Sequence, residues 1–147
     1  MSEVLTPEMF DFVLANELKR AARSQNFVTL VLLEPRAGDP VAVIAEIAGI
    51  VSRELRETDL LAADAAMVSM VLLDADLQNS HRVMERVMSR IDHYQFTSPV
   101  GLITGVACCP TDGADVNTLR CAALAGRAEL RHRPPRGTVQ AHEGQRM

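Results

Sequence analysis

Long apolar segments and a secretion signal are both missing from this sequence. Its longest apolar run, from Phe27 to Leu33, has the length of a strand, whereas a helix that spans a bilayer needs about 20 apolar residues. The first residues, Met1-Ser2-Glu3, have neither the basic nor the apolar region of a signal peptide. These absences predict a cytoplasmic protein that does not cross a membrane.

Cysteine is scarce as well. The sequence has three cysteines, Cys108, Cys109 and Cys121, and an odd number without framework spacing argues against disulfide bonds. A metal site would need further cysteine or histidine residues at close spacing, and the sequence offers none. We therefore expect packing thiols, no metal site and no cofactor, with the adjacent pair on opposite faces of a strand.

Positive charge is in deficit. Fifteen lysine and arginine residues stand against 19 acidic residues, which gives a formal net charge of −4. This balance argues against a general surface for nucleic acid or anionic membranes, although it leaves room for a small basic pocket. The length of 147 residues and the hydrophobic fraction of 48% predict one globular domain with a sizeable core.

Helical and strand-like hydrophobic patterns follow one another along the chain. Apolar residues at helical spacing predict helices over residues 7–25, 40–55, 79–94 and 115–132. Short apolar runs predict strands over residues 27–33, 59–63, 67–73 and 99–109. Thr6 and Asp39, each followed by a proline, are expected to cap the first two helices. The order predicts an α+β domain over residues 1–132, with a central, mostly antiparallel sheet flanked by helices, and a polar, partly disordered tail over residues 133–147.

Several short stretches, taken together in their order, resemble one family. Residues 55–62, Leu-Arg-Glu-Thr-Asp-Leu-Leu-Ala, are similar to the segment before the signature of the GGDEF family of diguanylate cyclase-like domains. Residues 104–107, Thr-Gly-Val-Ala, and residues 110–113, Pro-Thr-Asp-Gly, resemble the family's S-I-G-V-A and P-x-D-G run. Residues 38–39, Gly-Asp, resemble the pair that opens its second helix. The resemblance covers roughly residues 5–132 and implies a nucleotidyl-cyclase-like fold.

The signature itself is degenerate. In register with Asp59, its five positions are Ala65-Ala66-Met67-Val68-Ser69. In the family, the two glycines let the backbone approach the phosphates of GTP, and the acidic pair holds the divalent metal that phosphoryl transfer requires. Alanine adds Cβ atoms at the points of approach, and Met67 and Val68 offer no hard oxygen ligand.

Other positions that the resemblance links to substrate or metal are also changed. Glu34 stands where the family has its first metal-binding carboxylate, but Pro35-Arg36 follows it. The loop that carries guanine-binding residues in the family is cut to a few residues, and the phosphate-binding lysine of the last helix falls at about Leu130. The resemblance therefore implies a domain without cyclase activity.

One functional motif of the family survives. Arg56-Glu57-Thr58-Asp59 matches the R-x-x-D motif of the inhibitory site, which binds the product cyclic di-GMP away from the active site. An arginine can grip phosphate or the O6/N7 edge of guanine, and a carboxylate can accept from the guanine Watson–Crick edge. A second arginine of that site falls at Arg86, for which Arg82 or Arg90 could substitute. The candidate ligand-binding residues are therefore Arg56, Asp59 and Arg86, with Arg56 expected to be largely exposed and of little importance for stability.

Three functions compete on these observations. The first is a cyclic di-GMP receptor that signals through a homodimer or a protein partner, without nucleic acid or membrane. The second is a protein-interaction or dimerisation module in which Arg56 merely suits a helix end and Asp59 caps a turn or pairs with it. The third, ranked last, is residual nucleotide chemistry at the old active site. The patch formed by Glu17, Lys19, Arg20 and Arg23 is predicted to be a solvated helix face.

Overall fold

A single sheet separates two apolar clusters, and helices cover both of its faces. The computed structural model describes residues 3–74, 77–96 and 100–129. Within these ranges the strands are β1 (Val4–Leu5), β2 (Phe27–Arg36), β3 (Leu60–Ala63), β4 (Val68–Asp74), β5 (Gly101–Cys109) and β6 (Ala128–Glu129). The helices are α1 (Pro7–Ser24), α2 (Pro40–Glu54), α3 (Leu77–His93) and α4 (Val116–Ala125).

The sheet is mostly antiparallel, as predicted. Its strand order is β1-β3-β4-β2-β5-β6. The short strand β1 runs parallel to β3, and every other neighbouring pair is antiparallel. Strand β2 lies between β4 and β5, so it has a hydrogen-bonded neighbour on each side. The predicted α+β class with a central sheet flanked by helices is confirmed.

The alternation of side chains along β2 divides the core. Val31 and Leu33 pack against α2 and α3, whereas Leu30 and Leu32 pack against α1 and α4. Each of these four side chains is at most 1% exposed. A strand that is buried on both faces carries an unbroken apolar sequence, which is why the run after Phe27 predicts its position.

Capping residues start the helices where the sequence indicates. The Thr6 hydroxyl accepts from the backbone N–H of Met9 at 3.2 Å, and the Asp39 carboxylate accepts from that of Ala42 at 3.4 Å. A proline at the first helical position follows each cap. These bonds satisfy backbone donors that have no partner within the helix.

The turn between β3 and β4 is organised by a side chain in place of glycine. The Asp64 carboxylate accepts from the backbone N–H groups of Ala66 at 2.7 Å and Met67 at 2.9 Å. The backbone N–H of Asp64 donates to the Met67 carbonyl at 3.0 Å. An aspartate that bonds the backbone ahead of it forms a turn by itself, so β3 and β4 form a hairpin without a glycine in the turn.

The adjacent cysteines point to opposite faces of β5, as predicted. Cys109 is 3% exposed and packs on the α1 and α4 side, whereas Cys108 is half-buried. Burial raises the pKa of both thiols. They are therefore held in the protonated form, which is a poor nucleophile.

Two predicted boundaries are wrong. Strand β2 continues through Pro35 to Arg36, because beyond Leu33 it pairs only with β5 and a proline there interrupts no bond to β4. The last helix ends at Ala125 instead of residue 132, since Gly126 caps it and the chain then adds β6 to the sheet. Leu130, the boundary at 132 and the predicted tail lie outside the described residues.

None of the helices in the described ranges combines the length and the apolar character that crossing a bilayer requires.

Gly105 allows β5 and α4 to approach each other closely. A Cβ atom at this position would lie 2.2 Å from the backbone oxygen of Ala123. We expect Gly105→Ala to lower the free energy of unfolding by about 3 kcal/mol, since backbone must move to admit it. Gly49→Ala, in α2, places its Cβ more than 4 Å from any atom beyond the neighbouring residues and the backbone of its own helix, and it should raise the free energy of unfolding by about 0.5–1 kcal/mol. Urea denaturation of both variants is the measurement, and equal midpoints would contradict the prediction.

Candidate functional site

The R-x-x-D motif folds back on itself at the end of α2. The backbone N–H of Asp59 donates to the carbonyl of Arg56 at 3.0 Å, and this turn brings the two side chains together. Arg56 then grips the carboxylate with a fork: Nε lies 3.0 Å from Oδ2, and Nη2 lies 3.1 Å from Oδ1. A bidentate pair of this kind fixes the orientation of the guanidinium plane.

The Asp59 carboxylate is fully enclosed, with 0% of its side chain exposed. Besides the fork of Arg56, it accepts from the backbone N–H of Arg56 and from that of Leu73, both at 3.1 Å. A buried charge is tolerated only when it is paired and hydrogen-bonded. In this structure Asp59 holds Arg56 in place, and its carboxylate is not presented to a ligand.

Arg56 makes two further contacts at its other end. Its Nη1 donates to Asp74 Oδ2 at 2.8 Å, and its Nη2 donates to the carbonyl of Leu73 at 3.2 Å. The hydrogen bonds to Asp59 and then to Asp74 raise the pKa of Arg56 above its ordinary value. The guanidinium is therefore permanently charged, oriented by three neighbours, and still 40% exposed along its side chain.

An open groove of about 880 Å³ lies beside Arg56. It is bounded by the end of α1, the beginning of β2, residues 56–58 and the end of β4. Its cationic lining residues are Arg20, Arg23 and Arg56, and its acidic ones are Glu17, Glu57 and Asp74. We call this the arginine groove; because Arg20 pairs with Glu17 at 3.3 Å, both signs of charge meet in it.

The structure brings together only part of the predicted site. Arg56 and Asp59 are in contact, but Arg86 does not line the arginine groove. Arg86 instead donates from Nε to Glu54 Oε1 and from Nη2 to the Glu54 carbonyl, each at 2.9 Å. Arg90 contacts the other oxygen of the same carboxylate at 3.1 Å. Both arginines thus brace the end of α2 against α3.

Arg20 and Arg23, which the sequence assigns to a solvated helix face, line the arginine groove. They lie three residues apart at the C-terminal end of α1. They line the same groove as Arg56, although more than 30 residues of sequence separate them from it. Their spacing does signal a shared helix face. What that face adjoins depends on the packing of α1 beside β2, which local spacing does not encode.

The positions that the sequence resemblance linked to metal binding do not fit a metal ion. Glu34, which the resemblance assigned to the first metal-binding position, forms an ion pair with Arg127. Val68 is fully buried, and Met67 packs against the apolar cluster of α1 and α4. Over residues 3–74, 77–96 and 100–129, no three His, Cys, Asp or Glu residues group as metal ligands.

Arg56 is half-buried, so the expectation that it is largely exposed is wrong; the expectation that its loss costs little stability is untested, and the contacts of Arg56 argue against it. Arg56→Ala leaves the Asp59 carboxylate buried without its fork. We expect a loss of about 1–3 kcal/mol in the free energy of unfolding, less than for a fully buried pair because Arg56 is 40% exposed. Arg56→Lys should recover only part of this, since an ammonium cannot fork.

The matched control is Arg53→Ala, which removes an exposed arginine from the last turn of α2. It should change the free energy of unfolding by less than about 0.5 kcal/mol. Thermal and urea denaturation of the three variants decide the matter. If Arg56→Ala and Arg53→Ala unfold at the same midpoint, the Arg56–Asp59 contact does not hold this part of the fold.

The same fold occurs in solved structures of other proteins. No family model matches the sequence, and no curated protein matches it. Among solved structures, the GGDEF domain of YfiN from Pseudomonas aeruginosa has a TM-score of 0.70 at 17% identity, covering 84% of this chain and 87% of that one. A DGC protein from Thermotoga maritima has a TM-score of 0.73 at 13% identity, covering 86% of this chain and 97% of that one. The GGDEF domain of DgcB from Caulobacter crescentus, solved in complex with c-di-GMP, has a TM-score of 0.68 at 13% identity, covering 84% of this chain and 81% of that one. The chain has the fold of the GGDEF domains of diguanylate cyclases.

Proposed function

We propose that this chain is a non-catalytic GGDEF-fold signalling domain that binds cyclic di-GMP in the arginine groove. The observation that carries the proposal is the placement of Arg56. Its guanidinium is held in one orientation by buried and half-buried carboxylates, and it faces an open groove that Arg20 and Arg23 also line. A cation fixed before the ligand arrives loses little entropy on binding.

The chemistry of the groove suits the ligand. Cyclic di-GMP carries two phosphodiester anions and two guanine bases, and arginine recognises both groups through a planar fork or by stacking. A groove of about 880 Å³ falls within the range of small-molecule sites, roughly 300–1,000 Å³. The related fold of DgcB from Caulobacter crescentus has been solved with c-di-GMP, which supports the ligand class without assigning the contacts.

Loss of synthesis is the second part of the proposal. The ion pair between Glu34 and Arg127 neutralises the carboxylate that stands in the place of the first metal ligand. The hairpin residues Met67 and Val68 supply no second ligand, and their side chains pack into the core. Without metal to offset the charge of the triphosphate, phosphoryl transfer has no support at this end of the sheet.

An interaction module without nucleotide binding is the competing function, and one observation favours it. Four hydrogen bonds of the Arg56 guanidinium are made within the chain, and two carboxylates offset its charge. A motif kept only for stability would look the same. In that case the domain acts as a homodimer or through a protein partner, and calorimetry separates the two functions.

Purified protein is expected to form no cyclic di-GMP from GTP with either magnesium or manganese. Chromatography of the reaction, beside a mock preparation and an active diguanylate cyclase, is the measurement. The double variant Met67→Asp/Val68→Glu should remain inactive, because Glu34 stays paired with Arg127 and a carboxylate at the fully buried position 68 would disrupt the core. Product above the mock level in the wild-type sample would refute the loss of synthesis.

Isothermal titration calorimetry at low salt should detect binding of cyclic di-GMP and none of GTP. Arg23→Ala, a change at an exposed residue of the groove, should weaken binding by about tenfold without altering the melting temperature, since one charge-assisted contact contributes about 1.5 kcal/mol. Lys19→Ala, on the same helix but outside the groove, is the matched control and should bind like wild type. Added salt should weaken binding, because the contacts are ionic and accessible to solvent.

The two functions give opposite results in this titration. Absence of heat and of any thermal shift with wild-type protein at low salt would remove the receptor function and leave the interaction module. Equal weakening by Arg23→Ala and Lys19→Ala would show that the ligand responds to overall charge and does not occupy the arginine groove.

A further inference from the structure

Both edges through which an arginine can form a bidentate contact are occupied at Arg56. The edge formed by Nε and Nη2 holds the Asp59 carboxylate. At the opposite edge, Nη1 donates to Asp74 at 2.8 Å and Nη2 to the Leu73 carbonyl at 3.2 Å. A guanidinium has five N–H donors, and the hydrogen that remains on Nη1 cannot form a fork by itself.

The two carboxylates differ in their access to the arginine groove. Asp59 is 0% exposed and also accepts from the backbone N–H groups of Arg56 and Leu73, so its departure would leave a buried charge and backbone donors unpaired. Asp74 is 12% exposed along its side chain and lines the arginine groove. A carboxylate beside an open groove can turn towards water when another anion takes its place. Of the two carboxylates, Asp74 is therefore the one that a ligand in the groove can reach.

We propose that Asp74 is a built-in competitor for the anionic ligand of the arginine groove: its carboxylate occupies the position on Arg56 that a phosphate must take. This inference rests on the proposed function, because it concerns the same groove. It identifies Asp74 as an affinity-setting residue that the sequence motif does not contain. Asp74 lies 15 positions after Asp59 and joins the site only because β4 ends beside the turn.

Competition of this kind has two consequences for the ligand. An anion must displace a carboxylate that is already in place, which disfavours weakly charged ligands. After the exchange, Asp74 keeps its charge near the incoming phosphate, and this repulsion lowers affinity further. Removing the charge of Asp74 while keeping its shape should therefore strengthen binding, whereas removing a residue that contacts the ligand would weaken it.

The test compares two variants that each remove one negative charge from the same groove. Asp74→Asn keeps the size of the side chain but brings no charge to the contact with Arg56, and it should bind cyclic di-GMP about tenfold more tightly than wild type in calorimetry. Glu57→Gln also removes a negative charge from the groove, but the carboxylates that bond Arg56 in the described part of the chain are those of Asp59 and Asp74. This variant should therefore tighten binding only about twofold. Asp74→Ser, which is shorter and also neutral, is the second variant if Asp74→Asn does not fold.

Each result separates the inference from the proposed function. If wild type binds and Asp74→Asn binds equally or more weakly, Asp74 is not a competitor, while the receptor function stands. If both variants tighten binding equally, the general charge of the groove is responsible and the inference is overturned. If Asp74→Asn binds and wild type does not, the inference is supported and the receptor function of the wild-type chain fails. If neither binds, both fail.

Discussion

The buried carboxylate of Asp59 is the constraint on which this end of the molecule depends. It accepts from Arg56 through both side chain and backbone, and from the backbone of Leu73. These bonds tie the end of α2, the turn before β3 and the end of β4 to one buried charge. A charge without access to water cannot lose its donors without a large cost in free energy, so the orientation of Arg56 is set by the folding of the turn.

The same pairing of carboxylate and guanidinium occurs at both ends of the sheet. At one end, Arg127 pairs with Glu34. At the arginine groove, Asp59 and Asp74 hold Arg56, but its side chain remains 40% exposed beside open space. Under the proposed function, the pair of Glu34 and Arg127 leaves no free carboxylate for a cation, whereas Arg56 can exchange its outer partner, Asp74, for another anion.

Local patterns predicted what is decided locally. The caps at Thr6 and Asp39 and the buried run after Phe27 were readable because capping and alternation act within a few residues. The end of α4 could not be predicted in this way. Gly126 ends the helix, and the residues that follow pair with β5 as strand β6. The sequence predicted that β2 ends before Pro35. The strand continues because β4 has no residue paired with Pro35, and this depends on the sheet order, which local patterns do not encode.

The candidate site divides in the same way. The i,i+3 pairing of Arg56 with Asp59 is a short-range feature that the motif contains, whereas the groove beside it is assembled from α1, β2 and β4. Counting along α3 placed Arg86 on a suitable helix but could not show that Glu54 would bind it. Asp74 belongs to no motif, since only the antiparallel register of β3 and β4 returns the chain to Arg56. A residue that contacts the site only through strand pairing, as Asp74 does, is therefore harder to find from sequence than a residue of the motif. Its contact with Arg56 exists only after the strands have paired.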